Sequence, residues 1–468
     1  MWSFFRIIGF VLLSLLLTKK ASAQNDYVVV DSIVLSGYKH TKVNTILREL
    51  DFKQGDTLQL SNLTKRLNQN KLLLLNTGIF TKVEYNLKGW KGDKVKVAFD
   101  LKEGGRIYPL PVFQRADRNF NIWLEEHNLS LNRVNYGVAL KYRNFTGRKD
   151  LLRVTTQFGY EPKYWLSYDL PFFNKSQTLG LKADILFATA KEIGISALDN
   201  VLQFYSKEDE EILIRRFRAT MSLQYQPKYY TQHEISLSYL QNRIADSVAL
   251  VNPDYLLDGR TEQRFYVAEY RFQRDYRDFR PYAVEGNFFK ATLTKQGFGI
   301  HDDINTLTVA GIFAQYLPFG DKWSVEGILR GRYNILRDKQ PYLNSRALGY
   351  RDEYIRGYER YVIDGLDYVY GQATLRYKLF DKPINFGNSM PKSFRYFPLK
   401  LFAKIYSDQG YVNNPYYADD GNDFSNSILW GSGLGVDVVL YNDFVVQVEY
   451  TWNKTGEKGL YLHFKLPF

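Results

Sequence analysis

From Val134 to the last residue, apolar and polar side chains alternate with a period of two. In "RVNYGVALKYR", Val134, Tyr136, Val138, Leu140 and Tyr142 share one face, while Asn135, Gly137, Ala139, Lys141 and Arg143 share the other. "WSVEGILRGRY" sets Trp323, Val325, Leu329 and Tyr333 against Ser324, Glu326, Arg330 and Arg332. "FVVQVEYTW" sets Phe444, Val446, Val448, Tyr450 and Trp452 against Gln447, Glu449 and Thr451. The chain ends on "LYLHFKLPF", where Leu460, Leu462, Phe464, Leu466 and Phe468 oppose Tyr461, His463 and Lys465. Successive side chains of a strand point to opposite faces, so this stretch predicts half-buried strands and no helix.

Alternation alone suits a soluble sandwich as well as a membrane barrel, and strand length and loop length separate the two. Many predicted strands run to about ten residues, beyond the usual five or six, and carry charges on the polar face. Short turns, "EPK" (161–163), "PFGDK" (318–322) and "YND" (441–443), contrast with long polar connections at about 245–262, 337–364 and 408–427. Short turns on one rim and long loops on the other mark a transmembrane barrel. About sixteen strands are predicted over 134–468, an even number as a bacterial barrel requires. The segment 190–210 has the weakest strand pattern.

No backbone edge can stay unpaired in hydrocarbon, so the last strand is expected to seal against the first. The predicted seam comprises Tyr136, Val138 and Leu140 of the first strand and Phe464, Leu466, Pro467 and Phe468 of the last. Pro467 lacks an N–H; it either weakens the seam or is simply tolerated at a strand end.

Residues 27–104 follow another pattern. "YVVVDSIVLSGY" predicts a strand closed by Gly37, and Thr41 is placed to cap a helix with Val43, Ile46, Leu47 and Leu50 on one face. "KQGDT" breaks that helix, and a second from about Ser61 carries Leu63, Leu67 and "KLLLLN". Two strands follow, "FTKVEYNLK" and "KVKVAFDLKEG". Such a β-α-α-β-β unit can hide both helices on one sheet face and leaves a sheet edge open. Residues 105–133, with Pro109 and Pro111, are expected to be a linker.

Composition narrows the class. Aromatic residues reach 16%, with 37 Tyr, and rings with one polar end are favoured where an apolar medium meets water. The net charge of +12 is diffuse; without a basic run interleaved with aromatics it argues against nucleic acid and for anionic headgroups. The absence of cysteine excludes disulfides, thiolate metal sites and Cys nucleophiles. Arg6, the apolar stretch Ile7 to Leu17 and "ASA" at 21–23 predict a signal peptide over residues 1–23. Beyond it no apolar run approaches the roughly 18 to 20 residues of a membrane helix.

Enzyme motifs are missing: there is no G-x-S-x-G, phosphate loop or H-E-x-x-H, and the five histidines (40, 127, 233, 301 and 463) are scattered. No catalysis, cofactor or metal is expected. "DDGND" (419–423) lacks the spacing of a calcium loop and reads as solvated loop.

The phrases "GYKHT", "FKQGDT", "NTGIFTKVEY" and the closing "DLKEG" resemble the polypeptide-transport-associated (POTRA) repeat, a periplasmic module in front of certain outer-membrane barrels; the likeness spans 27–104. In "EYIRGYERYVIDG", Arg356, Gly357 and Tyr358 reproduce the Arg-Gly-aromatic tripeptide of the BamA superfamily's sixth loop, which in that superfamily folds down inside the barrel. "FAKIYSDQGYV" resembles its strand-thirteen pattern, and alternation puts Lys400, Phe402, Lys404, Tyr406 and Asp408 on one face. A guanidinium buried among loop residues needs a carboxylate, so the resemblance implies Asp408 as partner of Arg356. Relatives usually carry a Glu on strand twelve; Thr374 stands there, which leaves the lock a single carboxylate. "YRNFTGRKD", "WLSYDLPFF" and "RDYRDFRPYAVEG" also resemble superfamily segments.

The chain thus resembles a short BamA-type protein of mainly β class: signal peptide 1–23, an α+β POTRA domain 27–104, linker 105–133, and an antiparallel transmembrane barrel 134–468 with an inward-folded loop at about 337–364. The resemblance implies a place in the bacterial outer membrane with the POTRA domain in the periplasm, and a role in inserting barrel proteins or passing polypeptide across that membrane. A passive pore, or a structural subunit of an export complex, is the alternative. The implied partners are outer-membrane lipids, unfolded client polypeptides at the POTRA sheet edge, and accessory outer-membrane or periplasmic subunits.

Overall fold

The computed structural model describes residues 27–207, 212–228, 230–301, 304–350, 353–385, 396–417, 421–440 and 444–465. The predicted signal peptide (1–23), the turn 441–443 and Leu466, Pro467 and Phe468 lie outside them. Two compact units are present, one of the residues up to Arg106 with Arg143–Asp150, the other of Ile107–Tyr142 and Leu151–Phe468.

The first unit runs β1 (Tyr27–Ser36), α1 (Val43–Arg48), β2 (Thr57–Gln59), α2 (Leu63–Asn76), β3 (Phe80–Lys91) and β4 (Lys94–Glu103). Its sheet has the order β2-β1-β4-β3, with β1 and β4 parallel and the other pairs antiparallel. Period-two burial in β1 sends Val28 and Val30 inward. There they meet Val95, Val97 and Phe99 of β4 and the helical Ile46, Leu67 and Leu74, a core of apolar side chains that drives the unit's folding. The segment read as a helix break also supplies β2, whose Leu58 is buried opposite Val28. Thr41 does not cap α1: the N-cap is Lys42, without a side-chain bond. Instead the Thr41 hydroxyl and N–H donate to the Glu103 carboxylate at 2.5 and 2.8 Å, and the hydroxyl oxygen accepts from Asn144 Nδ2 at 2.9 Å.

The second unit is built on one antiparallel sheet of sixteen strands. No described helix is long and apolar enough to cross a membrane. The wall strands vary from 8 residues (Lys163–Leu170) to 19 (Asp367–Asn385). Tyr282, after the eighth strand, donates to Asp437 of the fourteenth at 2.8 Å, a contact that requires the sheet to curl on itself. The alternating faces separate as the pattern predicts: Leu329 and Tyr333 are more than half exposed, and Leu460 is 61% exposed beside a buried Tyr461.

Strand 1 is Ile107–Arg115, inside the segment expected to be a linker, and it pairs with Val134–Arg143 in the register Pro109↔Leu140 and Pro111↔Val138. Tyr136, Val138 and Leu140 therefore belong to strand 2, with their side chains outward, and not to the seam. The prolines suggested a linker because a central strand excludes them; an end strand does not. The weak segment 190–210 forms a separate hairpin, Glu192–Leu198 with Val201–Ser206, closed by Asp199 and Asn200 at positive φ. By strand order the short "EPK" turn lies on the same rim as the long connections after Ile244 and Asn334, whereas "PFGDK" lies on the opposite one. The connection placed at 408–427 is shorter, since strand 13 continues to Asn413.

Candidate functional site

Strand 13 (Tyr396–Asn413) turns Phe402, Lys404, Tyr406 and Asp408 inward, all buried. Asp408 is fully enclosed, and the loop before strand 12 (Asp367–Asn385) brings Arg356 to it. The guanidinium grips the carboxylate with Nε to Oδ2 at 2.8 Å and Nη2 to Oδ1 at 2.5 Å. The Arg356 backbone N–H and the Gln372 amide also donate to Oδ2, at 3.1 and 2.9 Å. Thr374 offers its hydroxyl oxygen to Nη2 at 3.1 Å, and the guanidinium carbon lies 3.9 Å from the centre of the Tyr406 ring. A planar fork between two parallel acceptors and an aromatic face uses every property that distinguishes Arg from Lys.

The lock does not rest on one carboxylate. Glu449 of strand 15 (Phe444–Asn453) approaches Arg356 Nη1 to 3.7 Å and takes the Lys404 ammonium at 2.6 Å. Lys404 also holds Asp437 at 2.5 Å, and Arg376 holds Glu326 at 2.6 Å. Buried charges persist only when paired in this way. Glu359, Glu449 and His463 bring one ligand atom each within 4.8 Å of one another, the group of metal-ligating type among the described residues. His463 Nε2 stands 3.4 Å from Glu359 and 3.2 Å from Glu449. With Lys404 and Arg356 already on Glu449, this donor set reads as an ion-pair node tying the loop to the last strand. Alternation had put Glu449 and His463 on the polar faces of their strands; that they meet depends on contacts across strands that a single strand's pattern does not encode.

The loop backbone packs unusually close to the wall. Gly357 has φ +96°, and its carbonyl accepts from Asn453 Nδ2 at 2.9 Å. A Cβ on Gly431 of strand 14 (Ile428–Leu440) would overlap the Arg356 carbonyl oxygen, so only glycine leaves room there. Tyr358 is buried, its hydroxyl 3.3 Å from the Trp430 carbonyl and its ring edge-on to Phe424. Asn422, from the stretch considered for a cation, instead pins the 192–206 hairpin: Asn200 N–H donates to it at 2.7 Å, and its amide donates to the Ala197 carbonyl at 3.0 Å.

Strand 1 and strand 16 (Lys458–Lys465) are the two ends of the sheet order, the edges that closure of a barrel would bring together at a seam. Antiparallel partners exchange bonds at every second residue. Ala116 N–H donates to the Arg133 carbonyl at 2.8 Å, so with an unbroken register the even residues of strand 1 bond strand 2 and the odd ones face the seam. Pro109 and Pro111 are odd. The seam side of strand 1 therefore lacks two of its donors, a role that sequence reasoning had considered for Pro467. Phe464 is the described member of the predicted terminal seam set, and its ring faces outward.

Residues 28–104 match the family described as "POTRA: Surface antigen variable number repeat". No curated protein is similar in sequence. Among solved structures, BamA from Haemophilus ducreyi lacking POTRA domains 1–3 is similar at 13% identity and a TM-score of 0.55, over 94% of this chain and 84% of that one. CdiB from Acinetobacter baumannii is similar at 14% identity and 0.51, over 94% and 73%, and CdiB from Escherichia coli at 12% and 0.52, over 92% and 75%. At these identities the likeness establishes the fold: a POTRA module and a sixteen-stranded barrel of the BamA type.

Proposed function

We propose that this chain, built as a POTRA-plus-barrel protein of the BamA type, works in a bacterial outer membrane as an insertase that helps unfolded β-barrel polypeptides enter the bilayer. Its POTRA unit stands in the periplasm and offers β3, at the end of its sheet, for pairing with an incoming extended segment. Its barrel then lends the edge of strand 16 as a template.

The observation that carries this reading is the donor-poor seam. A backbone group left unpaired in hydrocarbon costs several kcal/mol, roughly, so a sealed barrel would present matched donors and acceptors along every strand. Strand 1 cannot, because Pro109 and Pro111 stand on the edge that does not bond strand 2. An incoming strand with all its N–H groups pairs with strand 16 more completely than strand 1 does, which favours the exchange. The Arg356 lock keeps the wall from strand 12 to strand 15 in one arrangement while the seam opens.

The test is reconstitution of the full chain in liposomes with a urea-unfolded outer-membrane barrel as client, following folding by gel mobility and ion conductance in parallel. Accelerated client folding with little steady conductance is expected. Steady conductance that survives Arg356→Ala, with no acceleration, would replace the insertase by a passive pore.

A further inference from the structure

Between strands 1 and 2 the chain forms a short helix, α3 (Phe120–Glu125). Asn119 caps it, accepting from Ile122 N–H at 2.9 Å. The next residue, Asn121, is only 5% exposed, and an amide so enclosed must find partners for its donor and acceptor. Both partners belong to the edge of strand 16. Asn121 Nδ2 donates to the Leu460 carbonyl at 2.6 Å, and Leu462 N–H donates to Asn121 Oδ1 at 3.1 Å. Beside this contact the Phe120 ring meets Phe464 edge-on at 5.8 Å.

We propose that Asn121 is a latch on the templating edge: its carboxamide occupies the backbone positions on strand 16 that a client strand must take, and it yields them when that strand arrives. This rests on the insertase reading above. The Leu460 carbonyl and the Leu462 N–H flank one residue and point to the same side, the arrangement through which a neighbouring strand would bond. A single side chain supplies two bonds there, whereas an incoming strand supplies about one per residue along the edge. The latch can satisfy the edge at rest and still lose to a client.

The latch also reaches the loop lock. Arg118 donates to the Tyr361 carbonyl at 2.5 Å and to the Arg360 carbonyl, Asn119 Nδ2 donates to the Glu359 carbonyl at 2.5 Å, and Arg360 pairs with Glu125 at 2.7 Å. Withdrawal of α3 from strand 16 therefore pulls on residues 359–361, which adjoin Arg356, and couples seam occupancy to the lock.

The experiment uses the full chain in lipid nanodiscs with two readouts: amide exchange over residues 458–465, and binding of a labelled peptide copying residues 107–115 with alanine at 109 and 111, followed by anisotropy. Asn121→Ala should speed exchange at Leu462 and tighten peptide binding, each on the order of thirty-fold for the loss of two hydrogen bonds. Asn121→Ser, which can keep one bond at most, should fall between, and serves if the alanine variant does not assemble. Leu124→Ala, on the exposed side of the same helix, should change neither. Unchanged exchange at Leu462, or peptide binding no tighter than in the unaltered chain, overturns the latch. Faster exchange and tighter peptide binding in a protein that never accelerates client folding would uphold the latch and remove the insertase reading.

Discussion

Arg356 and Asp408 share a two-pronged ion pair inside the barrel, with Nε to Oδ2 at 2.8 Å and exposures of 8% and 0%. Removing one partner of a buried pair leaves the other charge uncompensated and costs about 3–5 kcal/mol. The loss falls on the loop, because the sixteen-stranded ladder does not depend on it. Arg356→Ala is therefore expected to leave a heat-modifiable barrel in the membrane while protease access to residues 353–364 rises and client folding slows. Arg356→Lys keeps the charge without the fork and should behave more like alanine than like the unaltered chain. Normal activity in both Arg356→Ala and Asp408→Ala would show that the lock has no part in function.

Gly431 tests the same docking from the wall side. Any Cβ there would overlap the Arg356 carbonyl oxygen, and strain of this kind in packed interiors costs typically about 1–3 kcal/mol. Gly431→Ala should release the loop without touching a charge, visible as faster amide exchange at residues 355–358. Gly327→Ala, whose added Cβ meets nothing nearby, should leave that exchange unchanged.

How much of this was legible in the chain depends on how local each signal is. Outward rows such as Leu329 and Tyr333 follow from strand geometry alone, so alternation found them. Arg356 and Asp408 were found through resemblance plus facing. Strand 1 was missed because Pro109 and Pro111 are usually evidence against a strand, an inference that fails at a seam. Glu449, Lys404, Asp437 and His463 each look like ordinary polar-face residues. Their convergence depends on the register between strands 13, 14, 15 and 16, which no local pattern carries.

The N-terminal unit should weaken in acid through Glu103. Burial alone would raise its carboxyl, but bonds from the Thr41 hydroxyl and from the backbone N–H groups of Thr41 and His40 outweigh that and hold it below the usual carboxylate range. A depressed folded-state value means that the stabilisation is fully present above the ordinary carboxylate value, near about 4.3, and disappears as pH falls through the folded one. Hydrogen exchange of β1 and β4 in the full chain, corrected for its intrinsic pH dependence, should show protection lost over that acidic window. Thr41→Val should narrow the window and lower protection at neutral pH by about 1 kcal/mol. Equal acid sensitivity in Glu103→Gln would place the titration elsewhere.

Pro109 and Pro111 should set the cost of opening the seam. Alanine at both positions returns two N–H donors to the edge of strand 1 that does not bond strand 2. If each forms a ladder bond of about 1 kcal/mol, opening becomes about 2 kcal/mol harder and client folding roughly 30-fold slower, while the barrel itself resists heat better. The neighbouring Val112 bonds on the other side, toward strand 2, so Val112→Pro should weaken the barrel by breaking its wall without making the seam more selective for a client. A double alanine variant that folds clients at the unaltered rate, with an unchanged melting temperature, would mean that strand 1 never competes for strand 16, and the template would have to be sought at another edge.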